Sequence, residues 1–106
     1  MVSQFEVYLV NLDASPSDDA KNTRPGVVIS PDEVNANLGH VIIAPLASTK
    51  AKYPTRVSVE FFNAERFVIL DQMRAVDKQR LVKKIGEIAE SSHEAILDRV
   101  CELFAK

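Results

Sequence analysis

The chain has 106 residues, 46% of them hydrophobic and 26% charged, a net charge of −2 and a single cysteine, Cys101. That is ordinary globular composition for one domain spanning 1–106, and no apolar run approaches the ~20 residues of a membrane span. An N-terminus without the basic and apolar regions of a signal peptide, and a lone cysteine that excludes an internal disulfide, point to the cytoplasm.

Phe5, Val7 and Leu9 alternate with Glu6, Tyr8 and Val10, and period two predicts a strand that closes at Asn11-Leu12-Asp13. A polar loop follows over residues 14–22, of a length that is often functional in small domains. It leads into Thr23-Arg24-Pro25-Gly26-Val27-Val28-Ile29-Ser30. Pro25 restricts Arg24 to extended backbone, Gly26 permits close approach, and Val27 to Ile29 read as a buried strand. A guanidinium held at the mouth of a sheet is suited to grip a phosphate or carboxylate through two parallel hydrogen bonds. The ordinary alternative is a surface salt bridge.

Ser30-Pro31-Asp32-Glu33 has the spacing of a capping box, predicting a short helix near 31–38 that Gly39 ends. His40 falls at a junction and reads as structural. Val41–Leu46 is a third strand, and residues 47–54 form a polar, basic loop. Thr55–Phe62 alternates again, Asn63-Ala64-Glu65 makes a turn, and Arg66–Leu70 is the next strand, ending in Asp71-Gln72. Asp77–Arg80 reads as a helical turn capped by Asp77, and Leu81–Ile88 as a strand. Ser91 and Glu94 have capping-box spacing at the head of a helix near 92–105. Its apolar stripe is Ile96, Leu97, Val100, Leu103 and Phe104, with Cys101 as a small buried hydrophobe at the border and His93 exposed.

Short strands separated by turn signals predict a mainly β (α+β) fold, a small barrel or strongly curved sheet with a helix packed on it. The runs 27–29, 41–43 and 67–70 are apolar on both faces of their strands. One long helix covers only one face, so a self-paired dimer is the simplest cover for the other. Residues 50–84 hold nine basic side chains against four acidic ones, so this segment carries +5 and the remainder −7. Such a segment suits a local phosphate-binding patch, or equally a set of solvated edges in which lysines discourage aggregation.

The chemistry classes narrow by elimination. There is no zinc spacing, no phosphate-loop or dinucleotide glycine pattern, and no nucleophile elbow; no metal site or cofactor is expected. Polar residues at strand ends remain, namely Arg24, Ser48, Thr49, Asp71 and Gln72.

Six stretches, in order, carry a resemblance: Val7–Asp13, Thr23–Pro31, Asn35 with Asn37-Leu38, Val41–Pro45, Tyr53–Val57 and Leu70–Leu81. Together they resemble the MazF/PemK toxins over about residues 5–88. The resemblance implies an SH3-like barrel, a homodimer, and a metal-independent ribonuclease that cuts single-stranded RNA at short sequences and is silenced by a cognate antitoxin. Cleavage by the 2′-hydroxyl would leave a 2′,3′-cyclic phosphate. Arg24 matches the family's catalytic arginine, and Asp71 an acidic position used in cleavage or substrate contact. The family usually has threonine two residues after the proline of the third strand; here Ala47 stands there, followed by Ser48.

The expected roles follow from charge. Arg24 stabilises the phosphoryl oxygens, but its pKa above ~12 makes it a poor base. Asp71 is either the base or a buried carboxylate bonded to backbone. Ser48 and Thr49 donate to the phosphate or merely solvate the loop. Lys50, Lys52 and Arg56 hold flanking phosphates, and Lys21, Thr23, Thr49 and Gln72 complete the expected RNA-binding set. Two other readings share the fold: a non-cleaving module that binds antitoxin or RNA, which Ala47 favours, and a poison of DNA gyrase like the related CcdB toxins.

Overall fold

The computed structural model describes residues 1–13, 22–48 and 55–105. Among these, seven strands and two helices follow in the order β1 (Glu6–Asn11), β2 (Thr23–Val28), α1 (Asp32–Asn37), β3 (His40–Ala47), β4 (Arg56–Phe61), β5 (Ala64–Ile69), β6 (Arg74–Asp77), β7 (Leu81–Glu87) and α2 (His93–Leu103). The sheet is antiparallel, in the order β4-β5-β3-β2-β1-β7, with β6 added beside β3. The mainly β, strongly curved fold expected from the alternation is present.

β3 organises the curl. One of its edges pairs with β2 through Ile43–Pro45. Its other edge pairs first with β6, through His40–Ile43, and then with β5, through Leu46 and Ala47. Pro45 falls in the gap between those two partners, where its missing N–H removes no ladder bond on that side. Opposite Pro45 is Gly26, where an added Cβ would come within 3.1 Å of Ile43 and 3.2 Å of Val10.

Alternation divides the buried side chains between the two faces of the sheet. Val7, Val27, Ile29, Ala44, Leu46, Val57, Val59, Val68 and Leu70 join Phe5, Phe61, Ile88 and the helix residue Ile96 in one core. Val10, Val28, Val41, Ile43 and Val76 form a second, closed over by Val2, Tyr8, Leu12 and Leu81 of the same chain. Of the double-sided runs, 27–29 and 67–70 are buried within one chain, while Ile42 in 41–43 stays 38% exposed, so the packing reason for a dimer shrinks to that position.

Several local expectations are corrected. Ser30 does not cap α1: its hydroxyl donates to Asn35 Oδ1 at 2.5 Å and accepts the Ile42 N–H at 3.0 Å, tying the helix to β3. Pro31 takes the cap position without a side-chain bond. The β4–β5 turn is Phe62-Asn63, one residue earlier than expected, with Phe61 paired to Ala64. β6 falls between two 3₁₀ turns, over residues read as the tail of a strand and the start of a turn. The Ser91–Glu94 capping box is absent; α2 follows a 3₁₀ turn over Glu90–Ser92, with Ser92 at the cap. His93 is not exposed but part-buried. Its ring stacks on Phe5 at 3.8 Å, and Nε2 donates to the Ile88 carbonyl at 2.7 Å. Cys101 is exposed rather than buried, as are Leu97 and Phe104, so α2 seats itself through Ile96 and Val100.

No helix among the described residues is long and apolar enough to cross a membrane.

Candidate active site at the Arg24 wall

Two ties hold the start of β2. The Leu12 N–H donates to the Asn22 carbonyl at 2.8 Å, joining the two ends of the connection that follows β1. From across the molecule, Arg80 Nη1 donates to the carbonyls of Asn11 (3.1 Å) and Asp13 (2.5 Å). The Asn11 side chain accepts the Asp13 N–H at 2.8 Å. The stem carrying Arg24 is thus fixed by backbone bonds and a guanidinium clamp.

Arg24 itself is exposed. Its Nη1 donates to the neighbouring Thr23 carbonyl at 2.9 Å, and among the described residues it has no carboxylate partner. The surface salt bridge left open by the sequence is not formed there. Arg24 and Pro25 form a wall between two clefts. The first, of about 470 Å³, is lined also by Leu46, Ala47, Ser48, Phe61, Phe62, Arg66 and Ile85. The second, of about 420 Å³, shares Leu46 and Ala47 with the first and is lined also by Val10, Leu12, Ile43, Pro45, Gln72 and Arg74. Both have the size of small-ligand sites, about 300–1,000 Å³.

The expected residues divide accordingly. Ser48 lies just past the end of β3 and shares the first cleft with Arg24, beside Ala47. Gln72 shares the second. Asp71 lines neither: its carboxylate accepts the Thr55 hydroxyl at 2.9 Å and lies 3.9 Å from Arg56 Nε. It is exposed and held by side chains, which differs from the backbone-bonded buried carboxylate expected as the alternative. The Arg56 side chain is only 14% exposed and faces Asp71 rather than solvent. Lys21, Thr49, Lys50 and Lys52 lie outside the described residues.

Three side chains were not singled out from the sequence: Phe62, Arg66 and Arg74. The basic excess of the 50–84 segment contained both arginines, but only the return of β5 and β6 beside β3 brings them to Arg24. Each cleft therefore holds Arg24 and one further arginine within a mostly apolar lining. That arrangement suits an anion with a flat apolar part. Among the described residues, no group of three His, Cys, Asp or Glu side chains is placed to hold a metal ion.

A charged cluster away from the clefts fixes the opposite edge. Glu6 accepts from Lys84 Nζ at 2.6 Å, the Ser3 N–H at 2.7 Å and the Tyr8 hydroxyl at 3.2 Å. Burial alone would raise its pKa, but the bonds from Lys84, Ser3 and Tyr8 outweigh that and hold the carboxyl below its ordinary value. Burial and the Glu6 charge push Tyr8 up.

Residues 3–104 match the family model of the PemK-like, MazF-like toxins of type II toxin–antitoxin systems. This chain belongs to that family. Among its PemK-like, MazF-like relatives, the endoribonuclease MazF of Staphylococcus epidermidis is 32% identical over 97 residues, covering 86% of this chain and 81% of the relative. Solved structures carry the same fold at lower identity. An endoribonuclease in complex with its cognate antitoxin, from Mycobacterial species, superposes with a TM-score of 0.81 at 18% identity, over 96% of this chain and 93% of that one. A MazE–MazF complex from Deinococcus radiodurans gives 0.78 at 19% identity, over 98% and 95%.

Proposed function

We propose that this toxin-family chain is a metal-independent endoribonuclease, one domain over 1–106, acting in the cytoplasm as a homodimer and neutralised by a cognate antitoxin. It cuts single-stranded RNA at short sequence motifs. The observation that carries this reading is the exposed guanidinium of Arg24, without a carboxylate partner among the described residues, on the wall shared by two clefts. The MazF relative is named an endoribonuclease, and two structural neighbours are complexes with antitoxin. Membership in this family favours RNA cleavage over the gyrase-poison reading.

In the proposed reaction the RNA 2′-hydroxyl oxygen attacks the adjacent phosphorus. The bond to the 5′-oxygen of the next nucleotide breaks, leaving a 2′,3′-cyclic phosphate and a 5′-oxygen that takes a proton from water to become a free 5′-hydroxyl. Negative charge builds on the non-bridging oxygens, where Arg24 offers two parallel N–H donors and the Ser48 hydroxyl a third. Asp71 would accept the 2′-hydroxyl proton only if the bound RNA reaches past the two clefts, since its carboxylate lines neither and is engaged by Thr55 and Arg56. It lies on the same turn as Gln72, with Arg56 better placed to orient it than to grip a phosphate. Thr23 and Gln72 contact the chain beside the cut, and Lys21, Thr49, Lys50 and Lys52 hold flanking phosphates, which positions RNA without reading its sequence.

The test is a defined single-stranded RNA incubated with the protein in EDTA, with end-group analysis of the products. Fragments ending in 2′,3′-cyclic phosphate are expected. Cleavage only on addition of a divalent metal, or none at all, contradicts the reading. Ala47 favours one alternative, a non-cleaving module on the same fold. Ala47→Thr separates the two: a gain of about 100-fold or more in cleavage would mark the natural chain as crippled, whereas a change within a few-fold leaves the nuclease reading intact.

A further inference from the structure

The β4–β5 hairpin turns on Phe62 and Asn63 with φ of 50° and 59°. Positive φ at both central positions is the geometry of a two-residue turn that favours Asn-Gly. Asn63 tolerates it; a bulky aromatic does not, and such a residue at positive φ is a true outlier. Strain of this kind, of order 1–3 kcal/mol, persists where the surroundings impose it and clusters at binding sites. Packing does not explain the choice, because Phe62 is 70% exposed. Its ring leans on the buried Phe61 ring, with centroids 4.3 Å apart and planes tilted by 37°.

The turn's position gives the reason. Phe62 and Arg66 line the first cleft together with Arg24 and Ser48. Among the described residues, Arg66 Nη1 reaches only the Glu65 carbonyl, at a long 3.4 Å. The aromatic pair is brought to this cleft by Gly86 on β7, where a Cβ would sit 2.9 Å from the Phe61 ring and 3.6 Å from that of Phe62. An exposed ring beside two available guanidinium groups complements a nucleotide: a flat base for the ring, and phosphates on either side for the arginines. An apolar peptide would be served by the ring but not by two cations that lack a carboxylate partner among the described residues.

We propose that Phe62 is a stacking platform for one base of single-stranded RNA next to the scissile phosphate, with Arg66 holding the phosphate beyond it. This makes Phe62 a specificity-determining residue, and it rests on the nuclease reading for what happens at Arg24. Stacking accepts any base, so the ring adds a modest preference, set by stacking strength, at one position relative to the cut.

Two variants and two readouts test it. Phe62→Asn removes the ring and suits the turn's backbone; Phe62→Trp keeps an aromatic face. Melting temperatures confirm that both fold. Cut sites and kcat/KM are measured on a defined long transcript, and direct binding by anisotropy with a fluorescein-labelled random-sequence RNA 12-mer. Phe62→Asn is expected to weaken binding and kcat/KM roughly tenfold and to relax base preference at one position beside the cut, while Phe62→Trp stays within about threefold of wild type. Unchanged cutting, preference and binding in Phe62→Asn overturn the platform and leave the nuclease reading standing. Binding without cleavage, lost in Phe62→Asn, supports the platform and overturns the nuclease reading. Wild-type protein that neither binds nor cuts RNA overturns both. Normal RNA handling with a weakened hold on the antitoxin reassigns the ring to that partner and also overturns the platform.

Discussion

Arg24 and Glu6 use charge in opposite ways. Arg24 has no anion to face among the described residues, so its guanidinium is free to meet one from outside. Glu6 is nearly buried and satisfied by three donors. Because its folded pKa lies below the ordinary value, its contribution is present above the ordinary glutamate pKa of about 4.3 and is lost as pH falls through the lower folded value. Glu6→Gln is expected to lose about 1 kcal/mol near neutral pH, or roughly 4–8 °C in Tm. Lys84 is half exposed, so water screens part of this pair. Melts from pH 7 to pH 2.5 should show the gap to wild type closing below about pH 4; a gap that persists in acid would assign the loss to packing instead. The exposed place of Arg24 at the start of β2 was legible because Pro25 and Gly26 write its backbone setting into the sequence. Phe62 was not, because a phenylalanine in a tight turn contradicts local preference and is intelligible only beside the cleft.

At the scale of elements, alternation revealed most strands because each has one face in a core. β6 escaped it. It has four residues, and only Val76 is buried. It becomes a strand because β3 offers it an edge, a pairing with no local signal. The helix caps failed for a related reason: Ser30 found a better partner in Asn35, and α2 begins from a 3₁₀ turn. The apolar stripe of α2 overstated its burial, since Ile96 is fully buried while Leu97 and Phe104 face solvent. Close contact between elements gives a sharper test at Gly86. A Cβ there would overlap the Phe61 ring at 2.9 Å. Gly86→Ala should cost about 1–3 kcal/mol through overpacking, read as a fall in Tm. An unchanged melt would mean that β7 and the hairpin are not held this tightly.

For the whole molecule, the two cores cover most of both apolar faces of the curved sheet within one chain, with Ile42 on β3 left exposed. A homodimer therefore rests mainly on family membership. Sedimentation at micromolar concentration should give about twice the 11.8 kDa chain mass; a monomer would remove the dimer from the account and leave the clefts unchanged. Net charge is −2, yet Arg24, Arg66 and Arg74 are gathered around two adjoining clefts. A phosphate backbone would be drawn to that region against the sign of the whole. Cleavage turns on what Arg24 does there. Single-turnover cleavage of one defined single-stranded RNA in EDTA, by wild type and by Arg24→Ala, measures it directly. The expected result is a loss of about 100- to 1,000-fold in the rate of the chemical step with the cut position unchanged. Equal rates for the two proteins would contradict it.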